Sequence, residues 1–423
     1  MQSVLIMGAG AAGLAAAGRL AHAGVRVTIL EARERLGGRI HTLRDARLPV
    51  PVELGAEFVH GEPDEIWSII RAENLLVGSL EGDNWCSENR SLKKCNDFWS
   101  RWNEVARQVK RGKTYPDRSF SEFLNTTRFD DEKKRSATEF VEGFNAARAD
   151  LISMQHLALA QEASDRVSGG IPYRIFAGYD HILRALGRFD SEHVDVRLNT
   201  TVDEIEWRPG YVRANGFEAD QAIITLPLGV LQAGVLRFTP DLEDKRIAAQ
   251  EIVMGHVVKA ILCFDSMFWE ERGITDLSFL HARGEKFPTW WTTRPIAAPI
   301  LVGWAGGLPA EALSYRSEDA IRHAAIQSLA NALKMNPSHL EAQVTASFIY
   351  DWQADPFSLG AYSYIPVGAI TAPIRLAEPV ADTLFFAGEA TNSDGASGTV
   401  HGAIATGYRA AEEILTVARR RVA

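Results

Sequence analysis

Three glycines, Gly8, Gly10 and Gly13, stand in a G-x-G-x-x-G spacing directly behind the apolar run Val4-Leu5-Ile6-Met7. Each has its own task in holding a phosphate. Gly8 makes the tight turn, Gly10 lets the backbone approach a pyrophosphate, and Gly13 lets helix and strand pack closely. The alanine-rich helix that starts there, with Ala12 in its first turn, offers free N–H groups and the positive end of its dipole. Glu31 ends the next β-branched run, 25–30, where it can accept both hydroxyls of a ribose, and an acid at that place favours a ribose without a 2′-phosphate. Strand, glycines, helix, strand and acid in one unit point to a bound dinucleotide. Lys259 lies inside the apolar run Val257-Val258-Lys259-Ala260-Ile261-Leu262. A charge there needs a partner or a function, although a strand lysine snorkelling to water has the same pattern. His60 sits in a glycine-flanked loop and also reads as an ordinary polar loop residue.

The elements that must position these groups follow in order. Residues 52–61 end in polar residues within a glycine-flanked loop, and 64–76 read as an amphipathic helix with Ile66, Ile69, Ile70 and Leu75 on one side. From about 77 to 174 charged, aromatic-containing helical periodicity dominates (Phe98, Trp99 and Trp102; Phe140, Val141 and Phe144), which reads as a helical insertion. Alternation returns at 194–198, 202–207, 211–219 and 221–226, with Asn215-Gly216 as a hairpin turn. The run 226–231 reads as a strand entering a turn. A second strand-and-helix block spans 232–352, with strands at 257–264 and 299–304 and a helix over 317–333. The run 384–389 reads as a buried strand leading to a polar, glycine-rich turn, and a small-residue helix runs from Gly398 to Ala418, where the chain becomes a charged helix end.

With 423 residues the chain exceeds one ordinary core, so two domains are expected. Apolar residues at 46% and charged residues at 23% fit a soluble globular protein. A net charge of −9, with no Lys/Arg block, argues against a nucleic-acid surface and suits a cationic ligand. No apolar run reaches the roughly 20 residues of a membrane helix, and Met1-Gln2-Ser3 carries no basic leader. Cys86, Cys95 and Cys263 show no metal spacing. Cys86 and Cys95 could pair or share a metal, but no CxxC or histidine cluster supports either, so free thiols in a reducing compartment are the expectation, with a cytoplasmic location.

Beyond the first unit, Glu31-Ala32-Arg33-Glu34-Arg35-Leu36-Gly37-Gly38-Arg39 resembles the second half of the FAD fingerprint of flavoprotein oxidases. Together with Glu53-Leu54-Gly55-Ala56, Leu226-Pro227-Leu228-Gly229-Val230-Leu231, Lys259, Ala361-Tyr362-Ser363-Tyr364 and Phe386-Ala387-Gly388-Glu389…Thr399-Val400-His401-Gly402, it occurs in the order seen in FAD-dependent amine oxidases. That family includes monoamine and polyamine oxidases and lysine-specific histone demethylases. The resemblance covers almost the whole chain and is weakest over 77–174. It implies an α/β fold in which a Rossmann-type FAD-binding domain (1–76, 175–231 and 353–423) interleaves with a sheet-plus-helices substrate domain (77–174 and 232–352).

The resemblance also implies roles. Gly8, Gly10, Ala12, Gly13, Glu31, Arg33, Gly38 and Arg39 would hold the adenosine and diphosphate. Gly55, Ala56, Glu57, Phe58, Val202, Trp352, Gly388, Glu389, Thr399 and Val400 would line the rest of the FAD. Lys259 would hold a water against the flavin, Tyr362 would wall the substrate cavity, and His60 would lie at the amine as in animal polyamine and spermine oxidases. Ala361 stands where monoamine oxidases carry the cysteine that bonds to flavin, so the FAD should be noncovalent. Thr399 replaces their second cage tyrosine, which shifts the resemblance towards polyamine oxidases and demethylases. Glu57 departs from the family pattern. Trp290 and Trp291 would either line a cation-binding tunnel or be a buried pair in the smaller sheet.

The implied activity is oxidation of an amine, a polyamine such as spermine or spermidine, with O2 reduced to H2O2. The expected partners are that small amine and O2, without nucleic acid, membrane or metal, in a monomer or homodimer. An L-amino-acid or aromatic monoamine oxidase is the alternative, the former needing an arginine such as Arg174 or Arg294 for the carboxylate. A non-catalytic FAD-binding scaffold is the third reading.

Overall fold

The computed structural model describes residues 2–88, 91–95, 98–111, 116–189 and 192–422. The side chains of Phe98, Trp99 and Trp102, expected to mark a helix, lie outside the described residues.

Two sheets organise the chain. The first is five-stranded and wholly parallel, in the order Val194–Arg197, β2 (Arg26–Leu30), β1 (Ser3–Met7), Gln221–Ile224 and Leu384–Phe386. Near-continuous apolar runs form these strands because both faces are covered. On one face lie α1 (Ala11–His22) and the C-terminal helix Val400–Val422. These two helices cross closely: a Cβ on Gly407 would come 2.2 Å from the Ala12 carbonyl oxygen. Leu14, Leu20, Ile29, Ile223, Phe385, Ile404 and Ile414 fill the core between them. The second sheet has seven strands in the order Val344–Asp351, Val257–Phe264, Ile300–Gly306, Thr289–Thr292, Leu277–Ala282, Asp83–Glu88 and Ser91–Lys94. Its second strand, Val257–Phe264, is buried at all eight positions, Lys259 included. The helix Glu318–Leu333 covers this sheet. We propose that these sheets centre the two interleaved domains, since the strands of the first come from three separated stretches and those of the second from the two between.

Several expectations shift in detail. The amphipathic helix stops at Ala72, where Asn74 takes a φ of +50°. The stretch from 77 opens with three strands, Val77–Ser79, Asp83–Glu88 and Ser91–Lys94, before its helices begin. Its polar hairpin is stabilised by pairing along the edge of the seven-stranded sheet, which helical periodicity does not register. Asn215 and Gly216, both at positive φ, make the hairpin turn as expected. The run 226–231 instead enters the short helix Leu228–Gln232, since Pro227 starts a helix as readily as it ends a strand.

The cysteines are not all free. Cys86 and Cys95 form a disulfide, because the hairpin Asp83–Glu88/Ser91–Lys94 sets Cys86 opposite Lys93 and brings Cys95 to a Cα–Cα distance of 5.8 Å. Cys263 is a buried free thiol. Among the described residues no helix is long and apolar enough to cross a membrane, and no cluster of metal-ligating side chains occurs.

Candidate active site

A cavity of about 1510 Å³ runs between the two sheets. At one end is the turn between β1 and α1. Gly8 adopts a φ of +105°, and a Cβ on Gly13 would stand 2.1 Å from the Gly8 carbonyl oxygen. Those two positions therefore require glycine for the turn itself. Gly10 differs: a Cβ there would meet nothing within 4 Å, and the same holds for Gly388 on the facing loop. Their bare backbone opens on the cavity, which is the form a phosphate cradle takes. Glu31 is buried at the end of β2. Its carboxylate accepts the Ala9 N–H at 2.7 Å and the Arg33 N–H at 2.9 Å, and it lines the cavity beside Val202. Open glycine faces, a helix N-terminus and a fixed acid suit a dinucleotide such as FAD.

The two arginines expected at the diphosphate are already engaged. Arg33 forms a two-pronged pair with Asp355, at 2.6 and 2.9 Å, and also donates to Ser358. Arg39 donates to Glu389 at 2.8 Å and to the Ala361 carbonyl at 2.7 Å. Both line the cavity. Glu389 is no solvated turn acid. It is buried and also accepts from the Ser363 hydroxyl at 2.6 Å and the Gly398 N–H at 2.9 Å. That network fixes the loop leading into the C-terminal helix. Thr399 uses its hydroxyl to accept the Gly402 N–H and to donate to Ala396, capping that helix. Val400 and Gly38 line the same wall.

The other end of the cavity is built on the segment after Val52–Glu53. Gly55 packs so tightly that a Cβ would fall 1.9 Å from the Arg39 carbonyl oxygen and 3.0 Å from the Trp352 ring. Trp352 is buried and donates to the Leu54 carbonyl at 3.0 Å. Ala56 and Phe58 line the cavity, and Phe58 packs on Trp291 at 5.5 Å. Between them, Glu57 turns into a buried charge cluster. It accepts from Lys259, from Arg174 at 2.7 Å and from the Trp291 indole N–H at 2.9 Å. Burial pushes the Glu57 carboxyl up, but the two cations outweigh it and hold the group below its ordinary value, charged at neutral pH. Lys259 is sealed off, donating also to the Gly55 carbonyl at 3.3 Å, while Glu57 is the member of that pair that lines the cavity. The lysine therefore has the partner that its apolar strand demanded. Nearby, buried Glu53 accepts the Tyr179 N–H and the Thr42 hydroxyl, both at 2.8 Å, and burial pushes its carboxyl up to about 7.

His60 lies on the short strand Val59–His60, with its ring edge-on to Phe144 at 5.5 Å. Burial lowers its pKa to about 4. Tyr362 donates its hydroxyl to the Phe144 carbonyl at 2.7 Å, so both residues meet the end of the helix Asp131–Asn145. Burial also raises the Tyr362 phenol, which stays protonated. Trp290 is wholly buried in the core of the larger sheet, whereas Trp291 reaches the cavity. The pair is therefore divided, Trp290 in the core of the larger sheet and not the smaller one and Trp291 in the cavity wall, because adjacent strand residues point to opposite faces.

Two residues, one in the cavity wall and one behind it, escaped sequence reading in these roles. His401, in the first turn of the C-terminal helix, lines the cavity, and burial followed by the nearby His60 lowers its pKa to about 4. Its adjacency to the Thr399-Val400 motif was the available signal. Arg174, considered only as a carboxylate binder, is instead spent on Glu57. A lone acid in an apolar loop was the signal that a cation must meet it. Arg294 donates to the Glu81 carbonyl and pairs with Asp276, away from the cavity.

Comparison with known proteins follows this geometry. Residues 11–89 and 101–415 match the family model of flavin containing amine oxidoreductase. A probable polyamine oxidase 4 of Arabidopsis thaliana is 30% identical over 97% of this chain and 86% of its own length. A lysine-specific histone demethylase 1 homolog 3 of the same plant is 28% identical over 99% of this chain but 30% of its own length. Among solved structures, a putrescine oxidase bound to putrescine has a TM-score of 0.81 at 22% identity, covering 98% of this chain and 99% of that one. Cyclohexylamine oxidase from Brevibacterium oxydans has a TM-score of 0.81 at 20% identity, covering 99% of each chain. These two likenesses show the fold.

Proposed function

The chain belongs to the flavin containing amine oxidoreductase family, and from that premise we propose that it oxidises a di- or polyamine at a carbon next to nitrogen, with O2 as the final acceptor. It is an FAD-dependent amine oxidoreductase. In the proposed overall reaction the amine, O2 and water give an aldehyde, a released amine or ammonia, and H2O2. FAD supplies the two-electron acceptor when bound, and Ala361 at the monoamine oxidase cysteine position speaks for noncovalent binding.

The residues divide as follows. Gly8, Gly10, Gly13, Gly38, Gly388, Val202 and Glu31 form the cradle that holds the cofactor, with Arg39 and Glu389 fixing its loops. Phe58, Tyr362 and Trp291 give the reacting end apolar, aromatic walls that exclude water. His60, uncharged above about pH 4, keeps a ring nitrogen lone pair for the amine's N–H. Lys259 is a positioning residue that acts through Glu57.

One observation carries the preference for an amine over an amino acid. Every arginine that lines the cavity, among the described residues, is already paired: Arg33 with Asp355, Arg39 with Glu389, and Arg283 with Glu88, Glu132 and Glu139. At each of these arginines a substrate carboxylate would have to displace a protein carboxylate, whereas an ammonium meets Glu142, which lines the cavity from the helix Asp131–Asn145. The test is anaerobic mixing of the FAD-loaded protein with spermine, spermidine, putrescine, a phenylethylamine and L-amino acids, followed by a peroxidase-coupled assay in air. Bleaching of the flavin band by di- or polyamines, with H2O2 in air, is expected. Bleaching by L-amino acids alone overturns the reading.

A further inference from the structure

The cluster around Glu57 holds three charges in a place almost without water. Side-chain exposure is 4% for Glu57, 1% for Lys259 and 9% for Arg174. Glu57 bonds both cations and the Trp291 indole, and Trp291 stacks its ring 5.5 Å from the lysine ammonium. Arg174 lies over the Phe58 ring at 5.2 Å and donates to the Thr292 and Arg294 carbonyls. Below about pH 7, where the neighbouring Glu53 stays protonated, two positive charges against one negative leave the unit at net +1, behind the wall at the end of the cavity away from the glycine cradle. A buried excess charge is costly unless something gains from it. Reduction of FAD adds two electrons and one proton to its ring system, and a fixed cation in the adjoining wall favours that added negative charge.

We propose that Glu57, Lys259 and Arg174 act as one charge unit that sets how readily the bound FAD is reduced, with Glu57 the positioning residue that holds both cations and cancels one of them. This rests on FAD binding and not on the identity of the amine. The role is assigned to net charge, so Arg174, which does not line the cavity, should matter as much as Lys259.

The test is a reductive titration of FAD-loaded protein against a reference dye, without any amine, so failure of the substrate reading leaves it intact. Glu57→Gln takes the unit to +2 and should raise the reduced-to-oxidised FAD ratio at fixed dye potential by about tenfold or more. Lys259→Met and Arg174→Met take it to zero and should lower the ratio by comparable factors. Arg174→Lys, and the double variant Glu57→Gln/Lys259→Met, restore +1 and should lie within about threefold of the unsubstituted protein. Ratios that ignore charge count, or that move for Lys259→Met but not for Arg174→Met, overturn the proposal. Where Glu57→Gln does not retain FAD, the double variant decides against Lys259→Met alone: recovery supports the unit, and identity of the two overturns it.

Discussion

Replacing Glu53 by glutamine should change how stability depends on pH, in a direction the structure dictates. Glu53 is buried, with the Tyr179 N–H and the Thr42 hydroxyl as its partners, and burial raises its pKa from 4.5 to about 7. In the unfolded chain the carboxyl ionises near 4.5 in full solvent. Between those values the native state holds a proton that the unfolded state has lost, so native stability falls as pH rises through that window. At about 1.4 kcal/mol per pH unit, the loss between pH 5 and 8 comes to roughly 2–3 kcal/mol. Glutamine cannot titrate and still accepts the Tyr179 N–H. The raw profile of the unsubstituted protein will not display the effect by itself. Burial lowers His60, His156, His281 and His401 to about 4, and each contributes stability that grows as pH rises from there to its unfolded value near 6.5. The readout is therefore a difference. Urea unfolding of both FAD-loaded proteins, followed by tryptophan fluorescence at several pH values, should show the advantage of Glu53 over glutamine shrinking by roughly 2–3 kcal/mol from pH 5 to 8. A difference that is flat, or that grows with pH, refutes the reasoning.

Further outcomes follow from the same geometry. Gly13→Ala, whose methyl would collide with the Gly8 carbonyl oxygen, should prevent both FAD loading and stable folding, whereas Gly10→Ala should fold and lose FAD affinity, as separate dichroism and flavin-absorbance measurements would show. Trp290→Ala empties a fully buried site packed on Gly303 and should cost about 3–5 kcal/mol in urea unfolding while leaving the flavin spectrum unchanged. Because His60 and His401 stay neutral down to about pH 4, the kcat/KM of amine oxidation should show no histidine limb near 6.5, and His60→Gln should change KM without altering the shape of the pH profile. A limb near 6.5 that His60→Gln removes would contradict this.

Much of the cofactor end was legible because its constraints are local. The spacing of Gly8, Gly10 and Gly13 between an apolar strand and an alanine-rich helix states a backbone geometry, and Glu31 follows from the length of one βαβ unit. The strand Val257–Phe264 was legible too, from eight apolar-flanked positions. What sequence could not supply was the pairing between distant segments. Glu57, Arg174, Trp291 and Lys259 are separated by 32 to 234 positions, and nothing in the neighbourhood of any one of them names the others. The same holds for Arg33 with Asp355, where a plausible phosphate ligand proved to have a protein partner 322 positions away. The hairpin carrying Cys86 and Cys95 was hidden for a different reason. Its residues are polar, and it is held as a strand pair by an edge that only the folded sheet provides.

The order of strands in the parallel sheet bears on how the protein is made. The outermost strand, Leu384–Phe386, and the helix Val400–Val422 against α1 come from the far end of the chain. A ribosome adding about 5–20 residues per second has finished the glycine turn tens of seconds before these pieces emerge. Until then α1 lacks its neighbour, β1 and β2 await the strands that complete their sheet, and the cradle is half a site. FAD capture is therefore a late event in the life of the nascent chain. A ribosome that stops short of residue 384 leaves an N-terminal motif intact in sequence and without the strand and helix that complete its site, so flavin retention is itself a report that synthesis has passed those elements.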